Sequence, residues 1–378
     1  MHRTLPDVLP IEWPEGSPQP PASTEQSLDR AADRLRAGGL VAIPTETVYG
    51  LAADALDADA VRSIFRAKGR PAGNPLIVHV ADVAMARGLA EVWPAAAERI
   101  TSRLWPGPVT VVVPRNERVP DAVTAGGPTV AVRCPGNRLT RRLIEKVGRP
   151  LAAPSANRSE AVSPTTAHHV LESLGGRIDL ILDGGPCPQG IESTVVDCTV
   201  TPPRILRPGP VDREAIEAAL GQTVATSGEP ATMPLNDGQE TAGCIGPDTA
   251  RSPGTQRRHY APRTPLEIAA DPADRVAELA RQGGRIGWLT MLADRERLRA
   301  VSAAGEVVIV PMPATAELFA RQLYATLHAI DRRGLDRIVV DALPDTEAWR
   351  AVRDRLSRAS HPASPTATVS PVRKGAPP

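Results

Sequence analysis

The segment Lys68-Gly69-Arg70-Pro71-Ala72-Gly73-Asn74-Pro75-Leu76 brings two cations to the end of a helix-like stretch and follows them with turn formers. A planar guanidinium and a compact ammonium fixed beside a strand end suit a polyphosphate. The spacing also suits ordinary helix C-terminal cations favoured by the helix dipole, and spacing alone leaves both open. Pro154-Ser155-Ala156-Asn157 follows a short apolar run. It puts hydroxyl and amide groups where open α/β sheets often hold ligands, although the same residues are common turn formers. Glu192-Ser193-Thr194 enters another apolar run with the same two interpretations. His79 lies inside the run Leu76 to Val80, where a lone histidine is either a ligand contact or a satisfied core or edge residue. Together these groups stand at strand boundaries and supply donors and positive charge rather than a general base. That is chemistry for binding anions. The chain has no G-x-x-x-x-G-K-[ST] loop, no G-x-G-x-x-G fingerprint, no H-E-x-x-H pair and no G-x-S-x-G elbow, so a phosphate site must be assembled from separate segments.

The elements that must position these groups read as a mixed α/β pattern. Residues 1–22 are rich in proline and read as a loosely ordered extension. Ser23-Thr24-Glu25-Gln26 has capping-box spacing, and Leu28, Ala31, Ala32 and Leu35 recur at helical spacing up to Gly38-Gly39. Strands are expected at Leu40–Ile43, Leu76–Val80, Val109–Val113, Thr129–Arg133, Pro150–Ala153, Ile178–Leu182, Ser193–Asp197 and Arg204–Leu206. Helices are expected at Asp57–Lys68, Arg138–Val147 and Asp212–Leu220, with a further helix starting at Ser163-Pro164. Several strands follow one another without a helix, which predicts a mixed, twisted open sheet over residues 23–221. Residues 222–263 carry no apolar period and read as a linker or functional loop. Residues 264–360 alternate strands (Pro265–Ala269, Arg285–Thr290, Glu306–Val310, Arg337–Asp341) with helical patterns, the longest from Ala316 to Arg332, predicting a smaller Rossmann-like parallel α/β domain. The Ser/Pro/Ala-rich tail 361–378 reads as disordered.

Composition narrows the function classes. With 378 residues two domains are expected, and 42% apolar but only 3% aromatic residues imply a core of Val, Leu, Ile and Ala. Forty-four basic against 43 acidic residues leave no global basic footprint for gripping long nucleic acid. Met1 to Pro21 has no signal-peptide core, and no run reaches the roughly 18 apolar residues that span a bilayer, so a cytoplasmic location with no membrane contact is expected. Cys134, Cys187, Cys198 and Cys244 form no C-x-x-C pair and no zinc-ligand spacing, so they read as scattered reduced thiols and no protein-ligated structural metal is expected.

Seven blocks in order closely resemble the YrdC-like domain. They are Pro44-Thr45-Glu46-Thr47-Val48-Tyr49-Gly50-Leu51, Lys68-Gly69-Arg70-Pro71, Asn74-Pro75-Leu76, Trp105-Pro106-Gly107-Pro108, Thr129-Val130-Ala131-Val132-Arg133, Pro154-Ser155-Ala156-Asn157 and Ser193-Thr194-Val195-Val196-Asp197. Ser252-Pro253-Gly254 and Arg258-His259-Tyr260-Ala261-Pro262 resemble the linker of the long, two-domain threonylcarbamoyl-AMP synthases, and the final section resembles their C-terminal domain. The departures are the N-terminal extension and Thr255-Gln256-Arg257, where the family more often has bulkier residues. The resemblance implies a nucleotidyltransferase that uses L-threonine, bicarbonate or CO2, and ATP with Mg2+. The products would be threonylcarbamoyl-AMP and pyrophosphate, for N6-threonylcarbamoyladenosine at position 37 of tRNAs reading ANN codons. A downstream tRNA threonylcarbamoyl transferase complex is implied as partner.

The resemblance also implies roles residue by residue. Lys68 and Arg70 would act on the phosphates. Thr45, His79, Arg133 and Ser193 would hold threonine, with Arg133 on its carboxylate. Asn74, Thr129, Ser155, Asn157, Ser163 and Arg207 would join Lys68 and Arg70 on ATP. His259 and Tyr260 would close over the cleft from the linker. An alternative of another class is a non-catalytic protein binding tRNA or double-stranded RNA through local basic runs such as Arg141-Arg142 and Arg257-Arg258. The hydrogenase-maturation carbamoyltransferases share the YrdC-like domain but carry paired C-x-x-C zinc fingers, which this chain lacks.

Overall fold

The computed structural model describes residues 5–226 and 258–362. The expected tail beyond Pro362, the linker run Ser252 to Arg257 and Cys244 lie outside the described residues. The first unit opens with β1 (Asp7–Pro10), α1 (Ala22–Arg36), β2 (Val41–Ile43), β3 (Gly50–Asp54), α2 (Ala58–Lys68), β4 (Ile77–His79), α3 (Val83–Arg87), α4 (Ala95–Leu104), β5 (Val109–Pro114) and α5 (Asp121–Thr124). It continues through β6 (Thr129–Arg133), α6 (Arg138–Val147), β7 (Leu151–Ala152), α7 (Ala167–Leu174), β8 (Leu180–Asp183), β9 (Thr194–Asp197), β10 (Arg204–Arg207), α8 (Arg213–Leu220) and β11 (Ala225–Thr226). The second unit holds β12 (Leu266–Ala269), α9 (Pro272–Arg281), β13 (Ile286–Thr290), α10 (Arg295–Ser302), β14 (Val307–Pro311), α11 (Ala316–Asp331), β15 (Arg337–Asp341) and α12 (Arg350–Ala359).

The first unit's strands order as β1-β8-β2-β3-β7-β4-β6-β5-β9-β10-β11. Parallel pairs such as β4–β6 and β5–β9 sit beside antiparallel pairs such as β5–β6 and β4–β7, so the sheet is mixed as expected. The second unit's sheet, β12-β15-β13-β14, is parallel throughout, also as expected.

Strand alternation splits the large sheet into two unlike faces. One face carries Ala42, Leu51, Ala53, Val78, Val111, Val130, Val132 and Val196 in one apolar cluster, covered by α2, α4, α5, α7 and α8. The opposite face is covered by α1 and α6 only over β8, β2, β3 and β7, where Val41, Ile43, Ala52, Leu151 and Leu180 pack. Over β4, β6, β5 and β9 that second face shows just Ile77, Ala131, Val112 and Val195. No helix of the first unit among the described residues packs there, and Ile77 of this strip lines a cleft.

Three expectations are corrected. Residues 7–10 are an edge strand, not loose extension: β1 pairs parallel with β8, and Ile11 is buried behind it against α1. The capping box at Ser23–Gln26 does not form. The helix already starts at Ala22 with Pro21 as its cap, and Thr24 Oγ1 instead accepts from the Glu12 N–H (3.1 Å) while Glu25 pairs with Arg142 and Lys146. Ser163-Pro164 does not start a helix. The helix begins at Ala167, capped by Thr166, because Ser163 Oγ is committed to Glu192 and the Pro164 carbonyl to the Tyr49 N–H.

Candidate active site

The cleft is lined by Thr45, Thr47, Arg70, Ile77, His79, Arg133, Ser155, Glu192, Ser193, Arg207, His259 and Tyr260, with an empty volume of about 530 Å³. A larger cavity of about 1020 Å³ lies between Pro208–Arg213 and the second unit. Its charged lining, Asp212, Arg213, Glu317, Glu347 and Arg350, has three acidic and two basic groups and so offers no surplus of positive charge to an anion. The smaller cleft is therefore the candidate site.

Each side chain arrives by a local rule. His79 and Arg133 end the parallel neighbours β4 and β6, directly opposite each other in register. Their alternation with Val78 and Val132 turns both onto the uncovered face. Arg207 arrives through a β-bulge. Ile205 pairs with Val196, but the register then shifts and Arg207, not Leu206, stands opposite Val195. The extra residue re-aims the guanidinium onto the cleft face.

At one end of the cleft Arg133 is 3% exposed. Its Nη1 donates to Thr47 Oγ1 (2.9 Å) and its Nε to the Gly107 carbonyl (3.3 Å). Nη2 lies 2.7 Å from Glu46 Oε1, close enough for an ion pair, but its N–H directions miss that oxygen and it makes no hydrogen bond. The contact to Glu46 is therefore an ion pair without a well-directed hydrogen bond. Burial alone would raise the Glu46 carboxyl, but Arg133 together with backbone N–H donors, Gly136 first, offsets it and holds the pKa below the ordinary value. Thr45 Oγ1 pairs with Thr47 Oγ1 (2.8 Å) and the Val48 carbonyl (2.6 Å), and Ser193 Oγ with Thr110 Oγ1 (2.8 Å). His79 is pushed down to about 3, first by burial and then by Arg133, so its ring is neutral and its Nδ1 has no partner.

Arg70 and Arg207 supply the positive wall. Arg70 Nη2 donates to the Pro75 carbonyl (3.0 Å), and burial lowers its pKa to about 10, still charged at neutral pH. Arg207 clasps the Ser193 carbonyl through Nε (3.2 Å) and Nη2 (2.9 Å). Lys68 is buried, its pKa lowered well by burial and then by Arg70. Its Nζ donates to the Ser155 and Asn157 carbonyls, the latter at 2.6 Å. Lys68 therefore stands behind Ser155 and braces that turn rather than lining the cleft. Asn74, Asn157 and Ser163 also stand back from the lining, and Thr129 lies at the far end of β6, on the Arg133 face but roughly 13 Å along the strand.

His259 and Tyr260 roof the cleft. Tyr260 takes a left-handed φ of 59°, and its buried hydroxyl and His259 Nδ1 have no partners. Residues missed from sequence are Thr47, which carries Arg133, and Arg355 and Tyr324 of the second unit, which hold Glu192. Of the basic run Arg141-Arg142, Arg141 serves the Pro135 and Gly136 carbonyls and Arg142 pairs with Glu25; Arg257 lies outside the described residues. No three His, Cys, Asp or Glu side chains converge on a metal position among the described residues, and both cleft carboxylates are paired with arginines. No helix among the described residues is long and apolar enough to cross a membrane.

A roofed cleft on an uncovered sheet face, carrying three buried arginines and a ring of hydroxyls, defines an α/β protein built to hold several anionic groups at once. Residues 33–209 match the Sua5/YciO/YrdC family, described as "Telomere recombination", and residues 211–361 match "Threonylcarbamoyl-AMP synthase, C-terminal domain". The chain is 42% identical over 338 residues to the threonylcarbamoyl-AMP synthase of Pyrococcus abyssi, covering 87% of this chain and 93% of that protein. It is 40% identical over 344 residues to the Bacillus subtilis protein of the same name, covering 90% and 94%. The crystal structure of P. abyssi Sua5 complexed with L-threonine superposes with a TM-score of 0.79 at 37% identity, covering 94% of this chain and 97% of that one. The chain belongs to the threonylcarbamoyl-AMP synthase family, in its two-domain form. A non-catalytic RNA-binding protein is not favoured by these relatives.

Proposed function

We propose that this chain joins L-threonine, CO2 or bicarbonate, and ATP into threonylcarbamoyl-AMP and pyrophosphate. The observation that carries the proposal is the convergence of Arg133, Arg70 and Arg207 with the hydroxyls of Thr45, Thr47 and Ser193 under the His259–Tyr260 roof. The threonine-bound relative supports it. Arg133 takes the threonine carboxylate, while Thr45, Ser193 and neutral His79 take its amine and hydroxyl. Arg70 and Arg207 meet the phosphates. The adenosine lies against Ile77 and Ser155 on the side of Thr129, with Lys68 bracing the Ser155 turn and Asn74, Asn157 and Ser163 supporting the cleft from behind its lining.

The chemistry asks little of a base. The neutral threonine amine adds to CO2, and the carbamate, once deprotonated, is already an anionic nucleophile. Its oxygen bonds to the α-phosphorus as the bond to the β-phosphate breaks and pyrophosphate leaves. The difficulty is crowding carboxylate, carbamate and triphosphate together, which fixed cations relieve without reorganising. Among the described residues both cleft carboxylates are held by arginines, which suits Mg2+ entering with the substrate as MgATP. The roof keeps water from the mixed anhydride. In the cytoplasm the product would pass to a transferase complex acting on tRNA adenosine 37. Pyrophosphate release from ATP, measured with and without L-threonine and bicarbonate, is expected to need both. Release indifferent to threonine would remove the synthase assignment.

A further inference from the structure

A buried ionic cluster joins the second unit to the cleft. Glu192 stands immediately before Ser193 and is held from both units. Its Oε1 accepts from Ser163 Oγ (2.6 Å); its Oε2 accepts from Tyr324 OH on α11 (3.0 Å) and from Arg355 Nε on α12 (2.8 Å). Arg355 is fully buried, reaches the Glu192 carbonyl through Nη2 (3.4 Å) and pairs with Asp354 through Nη1 (2.7 Å). Burial alone would raise Glu192, and Arg355, then Arg207, hold it below the ordinary carboxylate value.

The same guanidinium serves the roof. Arg355 Cζ lies 5.2 Å from the centre of the Tyr260 ring, and the Tyr324 ring stacks on Tyr260 at 5.8 Å. The His259 N–H donates to the Arg358 carbonyl, also on α12. A left-handed tyrosine persists only where its surroundings hold it, and these contacts from α11 and α12 do so. The loop that leads into Glu192 rides directly on α11. Gly190 has φ of +78°, and a Cβ there would lie 2.6 Å from the Ala320 and Arg321 carbonyl oxygens.

Apolar side chains of similar volume would join two units at least as firmly as a buried ion pair does, so stability alone does not account for this one. What the pair adds is direction. It fixes Glu192, and with it the neighbouring Ser193 whose carbonyl clasps Arg207. We propose that Arg355 is a positioning residue for the cleft: from the C-terminal unit it sets both the Ser193–Arg207 wall and the Tyr260 roof. This rests on the synthase function proposed above.

The test uses the full chain carrying Arg355→Gln, Arg355→Lys or Tyr324→Phe. Threonine affinity is read by calorimetry, backbone hydrogen exchange at residues 258–262 by mass spectrometry, and the share of consumed ATP recovered as AMP by chromatography. Arg355→Gln is expected to raise exchange at His259 and Tyr260, weaken threonine roughly tenfold, as coupling between contacting residues allows, and send more product to AMP by hydrolysis. Arg355→Lys keeps a charge on Glu192 but no plane against Tyr260, so it restores threonine affinity without restoring roof protection. A purely structural role would lower the melting temperature and active fraction but leave threonine affinity per active site and the AMP share at wild-type values, and that result overturns the proposal. Should Arg355→Gln fail to fold, Tyr324→Phe, which removes a single hydroxyl contact, is expected to shift all three readouts the same way by less; no shift in it overturns the proposal equally. If the wild type releases no pyrophosphate in response to threonine, the synthase assignment fails while the exchange data still judge the clamp.

Discussion

Replacing Arg133 by Gln tests the cleft and its charge balance together. Arg133 is buried beside Glu46, which is also largely buried, so the single substitution leaves a carboxylate without its partner. Breaking a buried pair from one side costs about 3–5 kcal/mol. At about 2–4 °C per kcal/mol for a domain of this size, the melting temperature falls roughly 6–20 °C. The sign with pH follows from Glu46. In the wild type its pKa is lowered, so it contributes stability above the unfolded value that is lost as pH falls through the folded one. Without Arg133 only backbone N–H donors such as that of Gly136 still oppose burial and the pKa rises, so the deficit is largest at neutral pH and shrinks toward acid. Adding Glu46→Gln removes the stranded charge while still accepting from the Gly136 N–H (2.8 Å in the wild type), so stability returns. Threonine binding does not return, because the carboxylate's guanidinium is gone; losing one partner of a buried charge pair, about 2–5 kcal/mol, is roughly 30- to 4,000-fold in affinity. Differential scanning calorimetry and titration calorimetry on the single and double variants separate the two effects. A double variant that recovers stability and also binds threonine normally refutes the assignment of Arg133 to the carboxylate.

Lys68→Ala is expected to lower turnover sharply through the unbraced Ser155–Asn157 turn while the far-ultraviolet circular dichroism stays native; unchanged turnover removes Lys68 from the mechanism. His79 titrates near 3 folded and near 6.5 unfolded, so the unfolded chain binds more protons between these values and stability rises with pH across that window. Urea titrations from pH 4 to 7 should show His79→Gln flattening that slope by up to about 1.4 kcal/mol per pH unit, with His169, also near 3, keeping part of it. A cleft that pairs with the threonine hydroxyl should reject valine strongly in pyrophosphate release, while serine, lacking a methyl worth about 1–3 kcal/mol, remains a poor substrate; equal use of valine contradicts the hydroxyl contact. Gly209→Ala would set a Cβ 2.6 Å from the Ser193 carbonyl carbon and 2.7 Å from the Glu192 carbonyl oxygen. It should cost about 1–3 kcal/mol of stability and weaken threonine binding through the displaced Ser193, which a melt and a titration on one preparation can check.

The parts of the fold that local pattern controls were legible. Thr129-Val130-Ala131-Val132-Arg133 alternates cleanly, and the strand forms over those residues with Arg133 on the open face. Arg138 to Val147 carries a strong helical stripe and Gly148 closes it in the left-handed conformation. β3, Gly50-Leu-Ala-Ala-Asp, escaped because its composition is poor for a strand; its place between β2 and β7 buries it completely and overrides propensity. α4 escaped although Ala97, Ile100 and Thr101 share its buried side, since Ala95-Ala96-Ala97 has little apolar contrast. The cleft residues were legible as types at strand ends, but their partners were not. In α12, Arg350, Arg353, Arg355 and Arg358 are alike in type, and only the fold shows that Arg355 is fully buried against a carboxylate 163 positions earlier. A one-residue bulge at Leu206, invisible in the sequence, decides that Arg207 rather than its neighbour faces the cleft.

The charge distribution explains why the cleft needs a second unit at all. Arg70, Arg133 and Arg207 are buried near one another with Lys68 behind them, and like charges in a poorly hydrated space repel. Arg70 is lowered first by burial and then by Arg207, and His259 is pushed down by burial and then by Arg70, Lys68 and Arg207. Two carboxylates offset part of this surplus, and each has a separate anchor. Glu46 is fixed inside the first unit by Arg133 and the Gly136 N–H. Glu192 is fixed from the second unit by Arg355 and Tyr324. The remaining surplus is left for the anions of the substrates, whose binding relieves repulsion already present in the fold. Threonine and ATP should therefore each stabilise the chain, and their affinities should fall with added salt less than those of an exposed basic patch, because the cations that meet them are screened by protein rather than by solvent ions.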